Sequence, residues 1–156
     1  MKKCASDRGN WMQLTLPARP SNLGLARVAV ASFAAGGGFT LPDIEELKVA
    51  VSEAVSNVVL HAYPDGEGEV QVCAQLRENE LIVEVVDSGV GMEDVSRATE
   101  ASYSTLEERM GVGFTFIEAF MDDVVVESTP AEGTRIVMRK RLTADQDETS
   151  ADTPPL

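Results

Sequence analysis

Aromatic side chains make up 5% of this 156-residue chain, with a single Trp and a single His. Basic residues are scarce too: 13 Lys and Arg stand against 26 Asp and Glu, a formal net charge of −13. Phosphate backbones bind basic surfaces, so this balance argues against nucleic acid as the main partner. Two cysteines, Cys4 and Cys73, form neither a CxxC pair nor any other metal-ligand spacing. Two free thiols in a reducing cytosol are the plain expectation. No apolar run approaches the roughly 20 residues a membrane span needs. Lys2 and Lys3 are not followed by the apolar stretch of a signal peptide. A cytoplasmic protein without membrane contact is expected. No GxxxxGK[ST] phosphate loop occurs, and no HRD or DFG of the eukaryotic-type protein kinases.

What remains is a globular composition, 44% apolar and 25% charged. MQLTLPA, from Met12, alternates as a strand does. Pro20 and Ser21 open a helix through LGLARVAVASFAA, which Gly36, Gly37 and Gly38 end. Thr40 caps a second helix, with Pro42 and Asp43 in its first turn, that runs to about Tyr63. EVQVCAQL and ELIVEVVD read as a hairpin around Arg77, Glu78 and Asn79. A helix from VGFTFIEAFMDD precedes two strands, VVVEST and TRIVMRKR, joined by PAEG. This order implies an α+β fold, an antiparallel or mixed sheet with helices packed on one face. The ordered domain is expected over 12–142, with an N-terminal extension at 1–11 and a disordered acidic tail at 143–156. The irregular stretch from Ser88 to Gly113 exceeds the about 12–15 residues usual for a loop in a compact domain, which suggests a functional lid.

The second helix carries an anomaly. Glu53, Asn57 and His61 fall at i, i+4 and i+8 among valines and alanines, in a single file. They could mark only its wet face, yet Lys48 and Ser52 lie on other faces. DSGVG, Asp87 to Gly91, follows a Val-rich strand. There an acid can accept from a base amine, while Gly89 and Gly91 admit a flat ring; a tight turn explains the pattern as well. GVGF, Gly111 to Phe114, enters a helix, where backbone N–H groups and the dipole favour phosphate. Arg109 can add a fixed positive charge over a terminal phosphate. Together these make a nucleotide site: Asn57 toward Mg²⁺, Glu53 as a proton acceptor and Asp87 at the base.

SEAVSNVVLHAY, DSGVG and ERMGVGF, in this order, resemble the N, G1 and G2 boxes of the GHKL ATPase superfamily, whose Bergerat fold is an α+β sandwich with helices on one face of the sheet. LARVAVASF, ELKVAVSEAVSN, DSGVGMED, ERMGVGFTFIEAFMDDV and EGTRIVMRKRL are similar to the small anti-sigma factors that are also serine protein kinases, the sporulation sigma-F type above all. The resemblance covers about Met12 to Leu142. It implies Glu53 as catalytic base and Asn57 as magnesium ligand. It implies Asp87, Gly89, Gly91, Arg109, Gly111, Gly113 and Thr134 as ATP-binding residues, and Arg27 as a partner contact. His61 is expected to be structural, near the pocket. ATP and Mg²⁺ are the implied cofactors. The implied partners are a sigma factor, an anti-anti-sigma STAS-domain protein phosphorylated on serine, and a second copy of the chain. The segment EASYSTLEE departs from the threonine-rich, lysine-containing run expected before Arg109. A general-stress, sigma-B type kinase and a detached histidine-kinase domain are the alternatives. The first usually lacks an intact DxGxG. The second needs an upstream phospho-accepting His, and only His61 exists.

Overall fold

The computed structural model describes residues 9–92 and 114–142. In chain order it runs β1 (Asn10–Pro17), a 3-10 turn (Pro20–Asn22), α1 (Leu23–Ala35), α2 (Leu41–Asn57), a π-helical turn (Val58–Ala62), β2 (Glu69–Arg77) and β3 (Glu80–Asp87). A helix over residues 114–120, α3, then leads to β4 (Asp123–Thr129) and β5 (Gly133–Arg141). The strands form one sheet in the order β1-β2-β3-β5-β4, antiparallel at every pairing. The α+β architecture is therefore as expected, and the sheet is antiparallel rather than mixed. β1 begins earlier than alternation alone suggests: Asn10 and Trp11 pair with Leu76 and Gln75.

Strand alternation sorts the two faces. Val70, Val72 and Ala74 of β2, Leu81, Val83 and Val85 of β3, and Ile136 and Met138 of β5 point into one core. Ala26, Val30 and Ala34 of α1 meet it at i, i+4 and i+8, with Leu47, Ala50, Val51, Ala54 and Val55 of α2 and Phe114 and Ile117 of α3. The many alanines let α1 and α2 approach closely; larger residues at those positions would overpack the contact. Thr40 caps α2 as its sequence indicates, its hydroxyl accepting from the Asp43 N–H at 3.3 Å, with a proline in the first turn. Lys140 is the one charged residue of β5 pointing inward. Its Nζ donates to Glu46 Oε2 of α2 at 3.0 Å and to the Phe120 carbonyl, the end of α3, at 2.7 Å. One buried ammonium thus ties two helices to the sheet.

The opposite face is polar. Arg135 donates to Glu84 through Nε (3.1 Å) and Nη2 (2.9 Å), and to Glu127 through Nη1 (3.2 Å). These bonds, the one to Glu84 foremost, raise the arginine's pKa further above its ordinary value. Cys73 sits on this face between Gln71 and Gln75, and it is disulfide-bonded, not a free thiol. The expectation for that residue is corrected: ligand spacing along the chain excludes chelation but not a bridge between residues distant in sequence.

Candidate functional site

The second helix does not run unbroken to Tyr63. After Asn57 the helical hydrogen bonding widens from i→i+4 to the i→i+5 pattern of a π turn. Such turns concentrate at functional sites, and this one starts at the proposed metal ligand. The wet face of α2 is elsewhere. Lys48 pairs with Glu45 at 3.3 Å, and the Ser52 hydroxyl donates to the Lys48 carbonyl at 2.7 Å. Glu53 is half-buried and makes no hydrogen bond or ion pair among the described residues. Asn57 is 8% exposed, and its buried Nδ2 has no partner among them. A buried amide that the fold leaves unsatisfied costs about 1–3 kcal/mol. The cost is offset if a ligand completes the site.

Asp87 ends β3 at 4% exposure. Its Oδ1 accepts the Gly89 N–H at 2.8 Å and the Thr134 N–H at 3.3 Å. One carboxylate thus folds back the loop after β3 and pins the start of β5. The loop needs its glycines. A Cβ at Gly89 would collide with the Ala62 carbonyl, and Gly91 has φ +70 with a Cβ position blocked by the Thr129 carbonyl. Val90 N–H donates to the Ala62 carbonyl at 2.9 Å, so the π turn and the loop are joined directly.

A polar chain continues from there. The Met92 N–H donates to Ser128 Oγ at 2.7 Å, Ser128 Oγ lies 2.8 Å from Thr134 Oγ1, and the Ala131 N–H donates to the Val90 carbonyl at 2.8 Å. Ser128, Ala131 and Tyr63 are site-supporting residues that no sequence motif indicates. Their contacts reach across long sequence separations, and only the β4–β5 hairpin that carries PAEG hints that a turn arrives here.

Asp87, Gly89, Gly91 and Thr134 are therefore gathered at one sheet end, and the π turn bonded to that loop starts at Asn57. Arg109, Gly111 and Gly113 lie outside the described residues; α3 follows directly on Gly113. Arg27 stands apart on α1, half-buried, its Nε buried without a partner among the described residues. A cavity of about 280 Å³ beside the loop is lined by Ala62, Tyr63, Ser88, Gly89, Val90 and Ala131 among others. A larger groove of about 630 Å³ crosses the polar sheet face and holds none of the expected site residues. Size alone does not locate the chemistry.

The donor set fits a hard cation only in part. No group of three or more His, Cys, Asp or Glu suited to a metal occurs among the described residues. Mg²⁺ rarely uses an all-protein cage; it takes one or two protein oxygens and completes its shell with phosphates and water. Asn57 can supply one such oxygen. With Asp87 at the other end, the arrangement suits a nucleotide lying from the loop toward α2.

Residues 16–140 match the sequence profile described as "Histidine kinase-like ATPase domain". A histidine kinase domain of the Erythrobacter litoralis EL346 blue-light activated histidine kinase superposes with a TM-score of 0.55 at 22% identity, covering 85% of this chain and 64% of that one. That likeness concerns the fold. Anti-sigma F factor of Clostridium acetobutylicum is 43% identical over 140 residues, 88% of this chain and 98% of that protein. Anti-sigma F factor of Caldanaerobacter subterraneus subsp. tengcongensis is 42% identical over 135 residues, 85% of this chain and 94% of that one. Those of Thermoanaerobacter and other clostridia stand at 39–42%. The chain belongs to the anti-sigma F factor family, built on the histidine kinase-like ATPase domain.

Proposed function

We propose that the chain binds and inhibits a sigma factor of the sigma-F type and is an ATP-dependent serine kinase of the anti-anti-sigma STAS-domain protein that relieves the inhibition. It acts as a cytoplasmic homodimer. The observation that carries the kinase reading is the pairing on α2: a half-buried carboxylate with no partner among the described residues, Glu53, one turn before Asn57, whose buried Nδ2 has none among them either. A salt-bridged Glu would be a structural anchor. This one is available to take a proton from an incoming serine hydroxyl. Asp87 would hold the adenine amine, while Asn57 with the bound nucleotide would hold Mg²⁺. When bound, the ion neutralises phosphate charge. Arg109 and the glycines at 111 and 113 serve the phosphates.

The partner reading rests on α1. Leu25 and Val28 are 52% and 57% exposed there, with Arg27 beside them. Apolar side chains flanking a guanidinium that has no partner among the described residues suit a protein contact better than solvent. No helix among the described residues is long and apolar enough to cross a membrane. A detached histidine-kinase domain is disfavoured because His61, the one histidine, lies within the π turn at the site itself.

Transfer of label from γ-labelled ATP to the STAS-domain protein tests the kinase reading. The Glu53→Gln variant should transfer about 10²–10⁴-fold more slowly while binding ATP and the sigma factor as the parent does. Transfer at the parental rate would move the base elsewhere.

A further inference from the structure

The π turn ends at Tyr63, and the tyrosine does more than close a helix. Its hydroxyl donates to the Glu69 carbonyl, at the start of β2, at 2.6 Å. The same oxygen accepts the Ser88 N–H at 2.9 Å. Ser88 directly follows Asp87. The ring lies against Gly68, where any Cβ would collide with it, and the Gly68 carbonyl is itself held by the Ala18 N–H at 2.8 Å. One residue earlier, the Ala62 carbonyl receives the Val90 N–H. The last residue of the π turn and the tyrosine that caps it therefore grip the loop on both sides of Gly89.

We infer that Tyr63 is a positioning residue for base recognition: through the Ser88 N–H it fixes the loop that sets the Asp87 carboxylate against the purine edge. This rests on the nucleotide reading of the site and deepens it. The physical case is one of leverage. Asp87 Oδ1 is spent on the Gly89 and Thr134 N–H groups, so the orientation of the carboxylate follows that of the loop. The loop is held from the β5 side by Thr134 and from the π-turn side by Tyr63 and Ala62. Releasing the tyrosine bond leaves the loop free to swing about its remaining anchors. Discrimination between purines is the property that suffers. Adenine presents an amine where guanine presents a carbonyl, and a carboxylate tells them apart only when it is aimed at that position. Burial holds the phenol above its ordinary pKa of 10.0, with the Asp87 charge adding to the effect, so the hydroxyl keeps its proton for Glu69 near neutrality.

Tyr63→Phe keeps the ring on Gly68 and removes only the hydroxyl. In the full chain, titration calorimetry should find ATP and ADP weakened alike, by about 2- to 10-fold, since of the two hydrogen bonds lost only that to Ser88 bears on the loop and phosphate contacts are untouched. The preference for ATP over GTP should fall by a similar factor. In an Asp87→Asn background, Tyr63→Phe should add little further loss, because the tyrosine acts through the acid. Amide hydrogen exchange without nucleotide gives a readout independent of binding: the Ser88 N–H should exchange faster in Tyr63→Phe, while core amides of β3 do not. Parental affinities and an unchanged ATP-over-GTP preference would overturn the inference, as would losses that simply add to those of Asp87→Asn. A parent chain that binds no nucleotide would overturn the site's reading and this inference with it. A parent that binds normally beside an indifferent Tyr63→Phe overturns the tyrosine's role alone.

Discussion

Asp87→Asn separates the folding role that Asp87 plays from the base recognition proposed for it. In the native chain Oδ1 accepts two backbone N–H groups, from Gly89 and Thr134. An asparagine with its amide oxygen in that place retains both bonds, though without the charge that strengthens them. It then presents an NH₂ donor where the carboxylate offered an acceptor. Against adenine's amine, donor meets donor. A hydrogen bond to a charged group contributes about 1.5–3 kcal/mol, so affinity should fall by roughly 10- to 150-fold. The loss should be equal for ATP and ADP, which share the base. Stability should drop by only about 1 kcal/mol, or about 2–4 °C in melting temperature. Asp87→Ala is the contrast: it abandons two buried N–H groups at about 1–3 kcal/mol each, so the fold itself should weaken. Calorimetry with both nucleotides, beside thermal melts, reads the difference. Unchanged affinity for both, or a loss confined to ATP, would refute the assignment of Asp87 to the base.

Arg27→Ala should leave ATP affinity and melting temperature at parental values, because the guanidinium has no partner to lose among the described residues. It should weaken binding of the sigma factor, the anti-anti-sigma protein or both by more than about 2 kcal/mol, roughly 30-fold; a pull-down with ATP in which both partners bind as before would leave Arg27 as surface charge. Lys140→Met keeps the aliphatic stem but loses the bonds to Glu46 and Phe120. Because Glu46 is partly solvated, the cost should be about 1–3 kcal/mol, or about 3–9 °C in melting temperature. An unchanged melt would mean that the buried ammonium does not hold α2 and α3 together.

Much of the architecture is legible along the chain because its signals are local. The alternation in EVQVCAQL and ELIVEVVD marks a hairpin with its apolar residues inward, and Thr40 with Asp43 marks a helix start. DSGVG at a strand end indicates the loop correctly. What escapes is whatever local pattern does not encode. VVLHAY continues an apolar helical pattern, and nothing in it distinguishes an i→i+5 turn from ordinary α-helix. The links of Tyr63 to Ser88, of Met92 to Ser128 and of Asp87 to Thr134 join residues 25, 36 and 47 positions apart. Only the strand order, which sets β5 beside β3, brings the last of these pairs together. Ser128 and Tyr63 look like unremarkable strand and helix-end residues until that order is known. Cys73 teaches the same lesson, since its bonding depends on neighbours in space.

The double duty proposed for Asp87 also bears on how this chain can change over generations. At most positions of a binding site, recognition decays gradually as side chains drift. Here nearly every replacement loses the acceptor that gathers the Gly89 and Thr134 N–H groups, so it is purged as a folding defect before ligand preference comes under selection. Asparagine is the exception, and a single G-to-A transition in an aspartate codon reaches it. On the proposed reading a lineage can thus shed base recognition in one step while keeping the sheet end intact, and with it the α1 surface that stands apart from the pocket. Nucleotide-blind descendants that still hold their partners are therefore mutationally near, and an asparagine at this position is the mark by which to find them.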